Sequence, residues 1–268
     1  MHDQTKKGAA CTGAPGHIPA AAEERARLSV TPPRNALEAI PLRNSLAAAE
    51  RQCVRAKDMN HTESLVVWYL RFNGYFTTPN FTTHPDFKKE PGSSDADVLA
   101  VRFQHSDERQ RNFVFERDRR LIRDCPIDMI LAEVKSSRCE LNEKWINPHY
   151  ENVEYALRWV GRWNDPAAIA EIASDVYRFG EWSDAQNADT VRFICFGKTP
   201  CETLKSKYPK VFQLLFDHLI ESMRDRMTMG CYQIHRERWE PFIRELGQRF
   251  EKKQQTSEIL EWIIGKKV

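Results

Sequence analysis

A chain of 268 residues, 41% apolar and 29% charged, has room for one large domain or two small ones around a sizeable core. Its 40 Lys and Arg stand against 38 Asp and Glu, so a net charge of +2 does not announce a nucleic-acid binder and any basic surface must be local. The sequence has no apolar run approaching about 18 residues and no apolar segment of signal-peptide type at its start, which argues against a membrane span and a secretory leader. Seven scattered cysteines without a Cys-x-x-Cys pair argue against a zinc ribbon and suit free thiols in a reducing cytoplasm.

Residues 1–58 are rich in Ala, Pro and Gly and poor in large apolar residues. Pro15, Pro19, Pro32, Pro33 and Pro41 interrupt any long element, so this part reads as a flexible tail. Met59 stands directly before the first convincing element. A translation start there is one reading and an ordinary extension is the other. The folded domain is expected over residues 59–268.

Asn60-His61-Thr62-Glu63 has the form of a capping box. It opens a helix through Leu65, Val66, Trp68, Tyr69 and Phe72 that stops at Gly74. Glu63 is either a cap residue or an acidic group that orients a water for chemistry. Residues 74–83 read as a first strand and residues 84–94 as a loop, with His84 a surface histidine or a phosphate contact. Asp97–Phe103 reads as a second strand, with Asp97, Leu99, Val101 and Phe103 on one face. Asp95 would point the same way as Asp97, but the apolar run begins directly after Asp97. Residues 104–124 mix six arginines with five acids, a solvated element or a flap facing DNA.

The chain is organised around Ile127–Val134 and the residues just beyond it, an apolar run that ends Glu133-Val134-Lys135. In a strand, Glu133 and Lys135 project to one side and Ile130, Ala132 and Val134 to the other. A carboxylate and an ammonium at the end of a buried strand are costly to desolvate, so each other, a metal ion or a phosphate must compensate them. Asp128 reads as a strand-start residue on the opposite face. A helix with Tyr150, Val153, Ala156, Leu157 and Val160 in one stripe follows, then a helix over 167–177 and a buried strand Thr190–Gly197. Lys198 beyond it is a solvated loop residue or a phosphate contact. The remainder reads as helical, with stripes at Val211, Leu214, Leu215, Leu219 and Met223, at Trp239, Phe242, Ile243, Leu246 and Phe250, and at Ile259–Ile264.

An Asp, then Glu-x-Lys, each at the edge of an apolar strand, resembles the PD-(D/E)xK nuclease superfamily. The residues that carry the resemblance are Asp97, Glu133 and Lys135, with Glu63 in the preceding helix, over roughly residues 60–197. Ala96 stands where the family name has proline. The resemblance implies an α/β fold of restriction-endonuclease-like type, a central mixed sheet flanked by helices, here with a helical C-terminal part. It implies Mg²⁺ or Mn²⁺ held by Asp97, Glu133 and the backbone of Val134, and hydrolysis of phosphodiester bonds with Lys135 acting on water or phosphate. Nucleic acid, DNA in the first instance, is the expected partner, and a homodimer is open. The competing reading is a catalytically silent nuclease-like domain that binds nucleic acid or protein, with Glu133 and Lys135 only paired to each other. The complete Asp, Glu and Lys set favours the enzyme, since a silent domain is free to lose one of the three.

Overall fold

The structure, a computed structural model, describes residues 59–82, 95–106, 109–110, 113–114, 117–184, 189–228 and 239–265. The expectations for residues 1–58, for His84 and for the side chain of Asp95 lie outside it.

Helix α1, His61–Phe72, starts at a complete capping box: Asn60 accepts from the Glu63 N–H, and the Glu63 carboxylate accepts from the Asn60 N–H. It buries Leu65, Val66, Val67, Tyr69 and Leu70 completely, so it is packed on most sides, as its near-continuous apolar sequence requires. Gly74 follows at φ +84°, the left-handed turn that sends the chain into the sheet.

The main sheet is built from β1 Phe76–Thr82, β2 Asp95–Phe103, β5 Ile127–Val134, β7 Thr190–Gly197, β6 Glu181–Ser183 and β8 Phe212–Leu215. The order is β1-β2-β5-β7-β6, with β8 also on β7. The first three strands form an antiparallel meander; β7 then runs parallel to β5, and β8 parallel to β7. A small hairpin, β3 Arg109–Gln110 with β4 Phe113–Val114, lies in the segment between β2 and β5. The chain is thus α/β with a mixed sheet and helices, the coarse class that the resemblance implies.

Between β5 and β7 run α2 Glu143–Ile146, a 3₁₀ turn Pro148–Tyr150, α3 Asn152–Val160 and α4 Pro166–Phe179. After β7 come α5 Glu202–Lys207, β8, α6 Phe216–Thr228, α7 Pro241–Glu251 and α8 Thr256–Gly265. Two cores lie on opposite faces of the sheet. One joins Ile130, Ala132 and Val134 of β5 to α1, α6, α7 and α8; the other joins Met129 and Leu131 to α2, α3 and α4. The alternation anticipated in β5 is therefore met residue by residue.

Two expectations need correction, and one strand is additional. Tyr150, expected in one helical stripe with Val153, lies in the 3₁₀ turn ahead of α3 and is exposed. Phe212–Leu215 is a strand, although Val211, Leu214 and Leu215 fit a helical stripe with Leu219 and Met223. Short apolar runs satisfy both periods, and the unpaired edge of β7 decides for the strand. Glu181–Ser183 adds an edge strand on β7 that three residues of sequence do not announce. No helix among the described residues is long and apolar enough to cross a membrane.

Candidate active site

The meander sets the site. Antiparallel pairing ends with Val98 opposite Ala132, and continuing that register places Asp97 opposite Glu133. There the ladder gives way to a side chain: the Val134 N–H donates to Asp97 Oδ2 at 2.6 Å. In extended backbone the N–H and C=O of one residue lie on the same strand edge, so the Val134 carbonyl is also on the Asp97 side. The neighbouring Lys135 N–H turns the other way, to the Phe196 carbonyl at 2.9 Å.

β1 is irregular at the same level. Pro79 pairs with Val98 and Phe81 with Ala96, while Asn80 between them has φ +49° and drops out of the ladder opposite Asp97. Ala96 and Leu99, three residues apart, lie in the same core, so strand alternation slips by one residue around Asp97. Of the single face expected for Asp97, Leu99, Val101 and Phe103, Leu99 and Val101 join that core, and the half-exposed Phe103 at the far end meets Phe76, the register partner of Val101.

Glu133 is 4% exposed, and strand alternation directs it to the side of Leu131 and its register partner Cys195. Its carboxylate is ion-paired to Lys135 Nζ, the contact expected from the i, i+2 spacing. Burial, and next the negative charge of Asp97, push the Glu133 carboxyl up to about 7, against the pull of Lys135. Burial lowers the Lys135 ammonium, but Glu133 and Asp97 outweigh it and hold it above its ordinary value. Lys135 is a third exposed, so the pair opens to solvent at its cationic end.

Asp97 and Glu133 together are the donors that a metal would use. No group of three or more His, Cys, Asp or Glu side chains suited to a metal ion occurs among the described residues. Mg²⁺ prefers oxygen, keeps several waters and needs only one or two carboxylates. Glu133 is raised toward neutrality by burial and then by the charge of Asp97, a pair that a divalent cation would relieve, so these residues fit such an ion.

Glu63 is placed differently. Its two oxygens accept from the Asn60 N–H at 3.2 Å and from Asn60 Nδ2 at 2.7 Å. It is buried within α1, which covers the sheet face opposite that of Leu131 and Cys195. The capping role is thus visible in its hydrogen bonds. Lys198 is exposed, its N–H bonded to the Ser137 carbonyl at 2.6 Å, and Arg138 is exposed and bridges Thr199.

Two polar clusters escaped the sequence reading. Asp128 is fully buried, not a plain strand-start residue. Arg192 Nε and Nη2 donate to its two oxygens at 3.0 and 2.7 Å, and Tyr75 and Arg102 reach Oδ2 at 2.5 and 3.4 Å. The signal was Arg192 within the apolar run of β7, because a cation inside a buried strand demands a partner. Asp118 accepts from Tyr69 at 2.8 Å and pairs with His218, tying the segment before β5 to α1 and α6. That pairing spans distant sequence and has no local signature.

Compared with models of protein families, with curated proteins and with solved structures, the chain finds no match.

Proposed function

We propose that the protein is a metal-dependent nuclease with a restriction-endonuclease-like fold that hydrolyses phosphodiester bonds in DNA. The observation that carries the reading is the pairing of Asp97 with the Val134 N–H beside the buried Glu133–Lys135 ion pair, on adjacent strands at one end of the sheet. The two acids come from segments 36 residues apart, and an antiparallel register brings them to the same level.

In this reading Asp97, Glu133 and the Val134 carbonyl would hold Mg²⁺ or Mn²⁺. Such an ion supplies charge neutralisation at the phosphate and lowers the pKa of attacking water. Asp97 is fixed by its hydrogen bond to the strand, which limits the reorganisation that the reaction would need. Lys135 can leave Glu133 for the phosphate or the attacking water, because its end of the pair is open to solvent. An ammonium so placed stabilises charge that develops in the transition state. Glu63 acts in this reading through the helix end that it ties down, as a positioning group. Cytoplasmic localisation belongs to the same proposal and rests on scattered cysteines without a Cys-x-x-Cys pair.

The test is incubation of the full chain with DNA and RNA, with and without Mg²⁺ or Mn²⁺, beside Lys135→Ala and Lys135→Arg. Cleavage should require the metal and fall by roughly a hundredfold or more in Lys135→Ala. Lys135→Arg should rescue poorly, because a planar guanidinium does not replace a compact ammonium. A Lys135→Ala protein that melts normally and cuts at the parental rate would leave Lys135 as only the partner of Glu133. Metal-independent silence of the parent protein would favour the binding domain.

A further inference from the structure

One row of residues crosses the sheet at the level of the candidate site. Phe81 of β1 pairs with Ala96 of β2, beside Asp97. Val134 of β5 pairs with Phe196 of β7. With strands about 4.8 Å apart, the row spans about 14 Å from β1 to β7, with Asp97 and Glu133 in its middle.

The β1 end carries an aromatic platform. Trp159 of α3 stands edge-on to Phe81, ring centroids 5.2 Å apart, and Tyr155 meets the same ring at 6.1 Å. Phe81 is buried, yet Trp159 remains 55% exposed. Helix α3 lies on the sheet face to which Glu133 belongs, since Val153, Ala156 and Leu157 share a core with Leu131 and Cys195. Trp159 thus stands on the sheet face of Glu133, beside the strand next to Asp97, with its ring held against that of Phe81. More than half of the Trp159 surface stays open to solvent, and that surface is available to a ligand.

The β7 end carries cations. Lys135, Arg138 and Lys198 stand just beyond the carboxyl ends of β5 and β7, and the 138–199 bridge and the Lys198 N–H hold the two loops together. Arg138 and Lys198 are both exposed. An aromatic face at one end, cations at the other and paired acids between them match a polyanion that also offers flat apolar surfaces. In a duplex those surfaces are stacked on one another and turned inward. Unpaired bases leave them open to a side chain.

We propose that the site takes nucleic acid with unpaired bases, laid across the sheet end so that one base stacks on Trp159 while phosphates on the other side of the scissile bond meet Arg138 and Lys198. This rests on the nuclease reading above for the position of the scissile bond, but the stacking itself needs no metal.

The test is fluorescence anisotropy of a labelled mixed-sequence oligonucleotide, single-stranded or annealed to its complement, with the full chain in EDTA, followed by cleavage of both forms in Mg²⁺. The parent should bind the single strand the more tightly. Trp159→Ala should weaken that binding by roughly tenfold or more, and Trp159→Phe should restore most of it, since every base can stack on a ring. Arg138→Ala and Lys198→Ala should weaken binding of either form and each reduce the salt slope by about one. Equal binding of both forms, or Trp159→Ala binding the single strand within about twofold of the parent, would overturn the proposal. Trp159-dependent binding without cleavage would sink the nuclease reading and keep the stacking site. Metal-dependent cleavage indifferent to Trp159 would do the reverse.

Discussion

Replacing Glu133 with glutamine should stabilise the protein at alkaline pH and leave it unchanged at acid pH. Burial, then Asp97, raise the carboxyl from its ordinary 4.5 to about 7, so the folded chain binds this proton more tightly than the unfolded chain. The stability that Glu133 contributes is fully present below about pH 4.5, declines as pH rises through the window between 4.5 and about 7, and is lost above it. At about 1.4 kcal/mol per pH unit, that loss amounts to about 3 kcal/mol. For a domain of this size it corresponds to roughly 6–12 °C in melting temperature. Glutamine has the shape of the protonated acid and does not titrate, so Glu133→Gln should avoid the loss. The assay is thermal melting of parent and variant in EDTA at about pH 4 and about pH 8. The gap between them should open in favour of the variant at the higher pH. Parallel profiles would mean that Glu133 is charged at ordinary cost in the folded state, and the buried, mutually repelling pair of acids would be refuted.

Other outcomes follow from the same geometry. Mg²⁺ or Mn²⁺ should raise the melting temperature of the parent at neutral pH, and Asp97→Asn should abolish the rise; an equal rise in that variant would move the ligand elsewhere. Asp128→Ala strands the buried Arg192 and Arg102 guanidinium groups, so urea unfolding should register a loss of about 3–5 kcal/mol. A loss under about 1 kcal/mol would show that water reaches that cluster. Gly197→Ala should also destabilise, because a Cβ there meets the Cys139 amide and Sγ at 2.9 Å. Its cost should be about 1–3 kcal/mol, the range for overpacking a filled core, and an unchanged melt would show that the Cys139 loop yields freely.

The sequence by itself determined what is local. Asn60 and Glu63 announce the start of α1 because a cap uses groups three residues apart. The alternation of Ile127–Val134 assigns its residues to two cores because strand side chains leave on alternate faces. The Glu133–Lys135 contact is likewise legible, being set within one strand. Tertiary structure decided whatever depended on distant partners. Leu214 and Leu215 fit a helix as well as a strand until β7 offers them an edge. Asp128 looks ordinary until Arg192, 64 residues on, arrives beside it in a parallel register. The slip around Asp97, opposite a left-handed Asn80, turns a plain strand residue into the group that holds the Val134 N–H. Trp159 meets Phe81 only because α3 packs into the core on the Leu131 side of the sheet. In each case the energy comes from desolvated groups that meet across the fold, and the spacing of residues along the chain carries no record of that meeting.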